Sequence, residues 1–227
     1  MNRIIRKFKR KIRIFLTLVI GNSFDSIKKK KLDNVSIVSF DVFDTLIIRP
    51  GIKCPTDVFD LINPRDINFK TKRIQAEINA RSKSKLEDIK LSDIYNELFP
   101  ENSQSAREFE KKEINTELSI CKANSEALEL YNRIKSSGKR IIIVSDMYLQ
   151  KDIIEKILNK CSYDTVGVPI YVSSEYGKTK RKGSLYKEVL LNLDVDANKV
   201  MHIGDNLISD YYNAKKYGIV GCLYNKK

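Results

Sequence analysis

Residues 36–46 read Ser-Ile-Val-Ser-Phe-Asp-Val-Phe-Asp-Thr-Leu, and no other segment constrains the fold as much. A short run rich in β-branched and aromatic residues ends on Asp41. Phe43, Asp44, Thr45 and a second apolar stretch, Leu46-Ile47-Ile48, follow. A run apolar at nearly every position reads as a strand covered on both faces, as in parallel sheets. A carboxylate at its end is delivered to the carboxyl edge of that sheet, where open α/β folds bind ligands. Many strands end in Asp, so the inference rests on the partners that three later segments supply.

The second segment is Arg140-Ile-Ile-Ile-Val-Ser-Asp146, a β-branched strand ending in Ser145 and Asp146. The third is a basic cluster, Lys178, Lys180, Arg181 and Lys182, before a helical pattern of Leu185, Val189, Leu190 and Leu193. The fourth, Val200-Met-His-Ile-Gly-Asp-Asn-Leu-Ile-Ser-Asp210, is a strand, a Gly turn and two carboxylates, Asp205 and Asp210. Strand signals near 35–41, 140–145, 169–173, 199–203 and 219–223 alternate with helical patterns at about 122–137, 148–160, 184–193 and 207–216. This alternation predicts a three-layer, Rossmann-like α/β fold with a parallel sheet. Residues 55–121 break the rhythm with helical segments only, at 71–84, 91–99 and 104–119, punctuated at Asn63-Pro64 and Phe99-Pro100.

The order Asp, Ser, Lys, Gly-Asp plus Asp over roughly residues 35–225 resembles the haloacid dehalogenase (HAD) superfamily of aspartate-nucleophile hydrolases. Phe-Asp-Val-Phe-Asp-Thr-Leu, with Ser-Asp-Met-Tyr later, resembles a subset common in bacterial surface-polysaccharide gene clusters. The resemblance implies a HAD core over 33–54 and 122–227, a helical cap over 55–121 and a separate tail over 1–32. A cap inserted after the first strand would close over the sheet edge and exclude water.

The resemblance also implies site roles. Asp41 would be the nucleophile, splitting phosphoester hydrolysis into two steps through an aspartyl-phosphate. A divalent cation, Mg²⁺, would lie between Asp41, Asp205 and the main-chain carbonyl near Phe43, with Asp210 completing the shell. Ser145 would donate to a phosphoryl oxygen. One lysine would touch both the phosphoryl group and Asp41; spacing to the following helix favours Lys180, with Lys178 and Lys182 as alternates. Asp44, Thr45, Asp146, Lys182 and Asn206 complete the expected substrate contacts. Asp205 or Ser145 would otherwise serve as a helix cap. His202 alternates with Val200 on a strand and reads as a packed or hydrogen-bonded core residue.

Phe43 departs from the pattern. In most HAD phosphatases the residue two after the nucleophile is a second Asp, the general acid/base. Asp44 would point to the opposite face if the strand continued through it. Loss of a general acid/base typically costs about 10²–10⁴-fold. The dehalogenases of the superfamily also carry an aromatic residue there, expel halide and use no metal, but lack the carboxylate that Asp205 supplies. Three readings follow: a Mg²⁺-dependent hydrolase of a small phosphorylated metabolite such as a sugar or nucleotide-sugar phosphate, a metal-free dehalogenase-like hydrolase, and a catalytically impaired module in polysaccharide assembly.

The four cysteines, Cys54, Cys121, Cys161 and Cys222, are scattered, which fits reduced thiols in a cytoplasmic setting. A single histidine and the lack of Cys-x-x-Cys argue against zinc. The formal charge is +13, but eleven of the 42 Lys and Arg residues fall in residues 1–31 against one acid, Asp25. The remaining chain is close to balanced, so no nucleic-acid groove is expected. Ile5, Phe8, Ile12, Phe15, Leu16 and Val19 fall at helical spacing among the cations. The tail is either an amphipathic helix in peripheral contact with an anionic membrane at its inner face, or a solvated leader. Its apolar run, Ile14–Ile20, is too short to span a bilayer.

Overall fold

A computed structural model describes Gly21, Ser23, Ile27 and residues 32–225. The tail reading therefore lies outside the described residues, except at those three positions. The central sheet has five strands, β1 (Ile37–Phe40), β4 (Arg140–Ser145), β5 (Ile170–Val172), β6 (Val200–Gly204) and β7 (Val220–Leu223), in the order β5-β4-β1-β6-β7. All four pairings are parallel. The chain builds outward from β1 through β4 and β5, then returns to β1's other side with β6 and β7. β1 is thus the switch point, and its carboxyl end opens into a crevice.

Side chains alternate across this sheet and fill two cores. Val38, Phe40, Ile141, Ile143, Met201 and Ile203 face α5 (Ser125–Ser136) and α6 (Lys151–Lys160), meeting Leu130, Tyr131, Ile154 and Ile157. Ile37, Ile142, Val144 and Val200 face α8 (Ser184–Leu193), meeting Leu185, Val189 and Leu193. Helices on both faces explain why β1 and β4 are apolar at nearly every position. After β6 the chain turns into a π-helical segment, Leu207–Tyr212, which runs on into α9 (Asn213–Lys216). A short α7 (Ser173–Tyr176) follows β5.

The segment expected to be helical leaves through β2 (Ile47–Ile48) and returns through β3 (Lys122–Ala123), which pair antiparallel. The sequence does not betray this ribbon, because two residues are too few to set a period. Between the strands lie a short α1 (Phe59–Ile62), α2 (Phe69–Lys83), α3 (Leu91–Leu98) and α4 (Ser103–Ile120). Among the described residues none forms a helix long and apolar enough to cross a membrane.

A buried ion pair organises this insertion. Arg73 is fully buried, and its Nε and Nη2 each donate to Glu113 at 2.9 Å. Tyr95 Oη donates to the same carboxylate at 2.6 Å. The guanidinium lies 5.1 Å from the ring of Tyr148, which follows the β4 strand end. Leu91 N also donates to Tyr148 O at 3.0 Å. The insertion is thereby docked on a loop beside the sheet's carboxyl edge. Removing one partner of a buried pair strands the other charge. Arg73→Met should lower unfolding stability by about 3–5 kcal/mol, and Arg73→Met/Glu113→Gln should recover much of that. Urea unfolding tests it: a single-variant loss under about 1 kcal/mol would mean the pair is not a determinant of stability.

Candidate active site

Parallel register carries three strand ends to one place. Asp41 follows β1, Ser145 ends β4, and Gly204 ends β6 just before Asp205. Asp41, Ser145 and Asp205 line a cavity of about 470 Å³ with Phe43, Asp44, Arg49, Asp146, Lys180, Arg181, Asn206, Ser209 and Asp210. That size suits a small substrate.

At its floor Lys180 Nζ lies 2.6 Å from Asp41 Oδ1 and 2.8 Å from Asp210 Oδ1, and all three residues are buried. Thr45, fully buried, donates its hydroxyl to Asp41 Oδ2 at 3.2 Å. Asn206 N donates to Asp210 Oδ2 at 2.8 Å. Gly204 permits this packing, because a Cβ there would fall 2.5 Å from Asp210 Cγ. His202 Nε2 lies 3.3 Å from Asp210 Oδ1, and its Nδ1 lies 2.7 Å from Ser39 Oγ on the neighbouring strand. Burial pushes the His202 imidazolium down to about 4. The ring is therefore neutral, and because Asp210 only accepts, Nε2 carries the proton and Nδ1 accepts from Ser39.

The charges oppose one another sharply. Burial pushes Asp41 up to about 8 against the pull of Lys180, with Asp210 and Asp205 adding to the rise. Burial also works against the Asp210 carboxylate, yet Lys180 and the His202 hydrogen bond hold it below the usual range. Lys180 stays above its usual range because Asp210 and Asp41 outweigh its own burial.

The turn that carries Lys180 is fastened from several sides. Asp146 accepts from Lys180 N at 2.7 Å and from Arg181 N at 3.0 Å, one on each carboxylate oxygen. Asn213 Nδ2 donates to the carbonyls of Lys180 at 2.9 Å and Arg181 at 2.6 Å. From the helical insertion, Glu87 accepts from Thr179 N at 2.9 Å and Thr179 Oγ1 at 3.1 Å, and from Ser184 Oγ.

Several expected roles change. Lys182 is exposed and does not line the cavity, because the turn directs Lys180 inward instead. Thr45 supports Asp41 from beneath rather than lining the cavity. Asp146 spends both oxygens on the lysine turn, although it also lines the cavity. Asn206, not Asp205, caps the following helical segment, accepting from Ile208 N at 3.1 Å and Ser209 N at 3.3 Å. The β1 strand does not run through Asp44. It stops at Phe40, and Asp44 takes φ +64° in a tight turn closed by Ile47 N donating to Val42 O at 3.0 Å. That left-handed residue brings Asp44 to the cavity wall instead of the opposite sheet face. Arg49, Glu87, Thr179 and Asn213 were not legible as site residues; each acts through a contact distant in sequence.

The donor set fits a hard cation. Asp41, Asp205 and Asp210 each offer an oxygen within 4.8 Å of the others. An all-oxygen group of this kind suits Mg²⁺, which keeps several waters.

The haloacid dehalogenase-like hydrolase family matches residues 66–223. The chain belongs to that family. The match takes in Ser145, Lys180, Asp205 and Asp210, while the upstream Asp41 joins them through the β1 register. A search of the curated proteins returns no match. Among solved structures, a HAD family enzyme from Bacteroides thetaiotaomicron is 19% identical, with a TM-score of 0.58 over 85% of this chain and 94% of its own. A 2-haloacid dehalogenase from Pseudomonas syringae pv. Tomato is 14% identical, with a TM-score of 0.59 over 82% and 84%. An L-2-haloacid dehalogenase from Xanthobacter autotrophicus, with chloropropionic acid covalently bound, is 12% identical, with a TM-score of 0.56 over 82% and 75%. At these identities the likeness is one of fold.

Lys180 gives this HAD hydrolase a direct test. Lys180→Met leaves Asp41 and Asp210 buried with no cation between them. In chelator the variant should be less stable by about 3–5 kcal/mol, and Mg²⁺ should restore part of the loss. Thermal melts that ignore Mg²⁺ in both proteins would mean the three carboxylates do not take the ion.

Proposed function

We propose that this HAD hydrolase cleaves a small phosphorylated metabolite in a Mg²⁺-dependent reaction through an aspartyl-phosphate on Asp41. The observation that carries the reading is the trio of carboxylate oxygens from Asp41, Asp205 and Asp210 within 4.8 Å, beside the ammonium of Lys180. A metal-free displacement has no need of three converging carboxylates.

An Asp41 oxygen attacks phosphorus, and the bond from phosphorus to the leaving-group oxygen breaks with its electron pair on that oxygen. Lys180 and the Ser145 hydroxyl hold phosphoryl oxygens in line. Water then attacks the phosphorus of the aspartyl-phosphate, releasing phosphate and regenerating the carboxylate. When bound, Mg²⁺ supplies the positive charge that keeps Asp41 ionised and offsets its repulsion from the phosphoryl group. Phe43 offers no proton to the leaving group, so the favoured substrates expel a stable anion. A nucleotide-sugar phosphate, whose diphosphate link expels a phosphate anion, meets that preference and fits the polysaccharide-cluster resemblance; a sugar monophosphate, which expels an alkoxide, fits the resemblance alone.

Phe43 also favours the second reading, a dehalogenase-like hydrolase, since halide departs without a proton and several fold relatives are named as dehalogenases. A phosphatase panel separates the two. Phosphate release should require Mg²⁺ or Mn²⁺, fail in chelator and vanish in Asp41→Asn. Aryl and acyl phosphates should outrun alkyl phosphates, and Phe43→Asp should flatten that dependence. Halide release from 2-haloacids in chelator, with no phosphatase activity, would reverse the assignment.

The tail reading is a separate inference. Seven Lys and Arg residues lie between Arg3 and Arg13 among apolar residues at helical spacing. Each cation at an anionic surface adds about 1 kcal/mol, so residues 1–20 should hold the enzyme peripherally at an anionic membrane. Full-length protein should co-sediment with anionic vesicles and be released by high salt, whereas a chain starting at Asp33 should not. Equal binding by both proteins would contradict this.

A further inference from the structure

We propose that Arg49 is a subsite for a second anionic group, a carboxylate or a phosphoryl, on the leaving-group half of the substrate. This rests on the reading that a phosphoryl group sits over Asp41.

The place comes first. Arg49 directly follows β2, and its guanidinium lies 4.5 Å from the centroid of the Phe43 ring. Both residues line the cavity with Asp41. Phe43 stands two residues after Asp41, where the family resemblance puts the acid that serves the leaving group. Arg49, beside Phe43 on the same cavity wall, is therefore assigned to the leaving-group half.

Charge comes second. Asp41, Asp44, Asp146, Asp205 and Asp210 line this cavity. The ammonium of Lys180 already serves two of them. An anionic substrate tail needs a cation of its own, and Arg49 supplies one at the Phe43 end. A guanidinium placed over a ring keeps its charge and its planar fork of N–H donors, which suits recognition of a carboxylate or phosphoryl edge.

The bland alternative is that Arg49 exists only to neutralise Glu117 of α4. Burial raises the Glu117 carboxyl and Arg49 counters it, so some such role is real. The geometry of the pair is nevertheless loose, with Arg49 Nη1 3.4 Å from Glu117 Oε1. The structural pair in the same protein, Arg73 with Glu113, is buried and bidentate at 2.9 Å. Charge-assisted pairs built for stability reach about 2.7–2.9 Å. Arg49 differs in both its spacing and its access to the cavity.

Binding tests this without turnover. Full-length protein with Mg²⁺ is titrated calorimetrically with 3-phosphonopropionate, its neutral amide 3-phosphonopropionamide, and 1,2-ethylenebisphosphonate. The wild type should bind an anion-bearing probe at least about tenfold tighter than the amide, the effect of one charge-assisted hydrogen bond. The tighter of the acid and the bisphosphonate identifies carboxylate or phosphoryl as the group taken. Arg49→Met/Glu117→Gln, which leaves no stranded carboxylate, should lose the discrimination, and Arg49→Lys should keep part of it. Equal binding of acid and amide by the wild type, no binding of either anionic probe, or full discrimination in the double variant would overturn the proposal. Discrimination without phosphate release from any ester would uphold the subsite and sink the hydrolase reading; phosphate release without discrimination would do the reverse.

Discussion

One buried ammonium holds this site together. Lys180 joins Asp41, at the end of the central strand, to Asp210, beyond the end of its neighbour. Two carboxylates this close and this buried repel one another, and either alone would favour its protonated form. The cation between them keeps them in one place, leaving Asp41 Oδ2 and Asp210 Oδ2 to Thr45 and Asn206. Much of the surrounding structure serves to place that ammonium. Asp146 and Asn213 hold the backbone of its turn, Gly204 makes room for Asp210, and the neutral His202 adds a donor without adding charge.

The helical insertion takes part in this. Glu87 grips Thr179 and Ser184 on either side of the lysine turn, and Glu87 N donates to Gly177 O at 3.1 Å. Asp88 accepts from Ser173 Oγ, whose oxygen in turn accepts from Met147 N at 2.8 Å. The insertion thus reaches the segments after β4 and β5 as well as its own β2–β3 stem. Its position and that of Lys180 are linked, so substitutions in the 84–90 segment should be read for effects on the site and not only on the insertion.

Much of the fold was legible because its determinants are local. Ile-Val-Ser-Phe and Ile-Ile-Ile-Val announce buried strands, and their polar endings mark the sheet's working edge. The five strands and the main helices lie within a few residues of where the pattern puts them. Asp41, Ser145, Lys180, Asp205 and Asp210 could be singled out for the same reason, since each follows a readable strand or precedes a readable helix. What stayed hidden depends on contacts far apart in the chain. Nothing near Arg49 foretells that it will meet Glu117, and nothing near Glu87 foretells Thr179. Lys182 and Lys180 are alike in type; spacing to the following helix favours Lys180, and the turn directs Lys180 inward. The direction of Asp44 is not legible from period two, which applies only if the strand continues, and β1 stops at Phe40.

In the proposed reaction Asp41 attacks phosphorus. Single-turnover reaction in ¹⁸O-labelled water tests it most directly, by following where the label goes. Water that cleaves an aspartyl-phosphate at phosphorus puts ¹⁸O into the released phosphate. Water that cleaves a carbon ester of Asp41 at its carbonyl puts ¹⁸O into the Asp41 side chain. With an aryl phosphate and Mg²⁺, the account predicts labelled phosphate, an unlabelled Asp41 peptide and a transient hydroxylamine-sensitive phosphoryl group on that peptide. Label in the Asp41 peptide after turnover of a 2-haloacid, with no phosphate released from any ester, would contradict it.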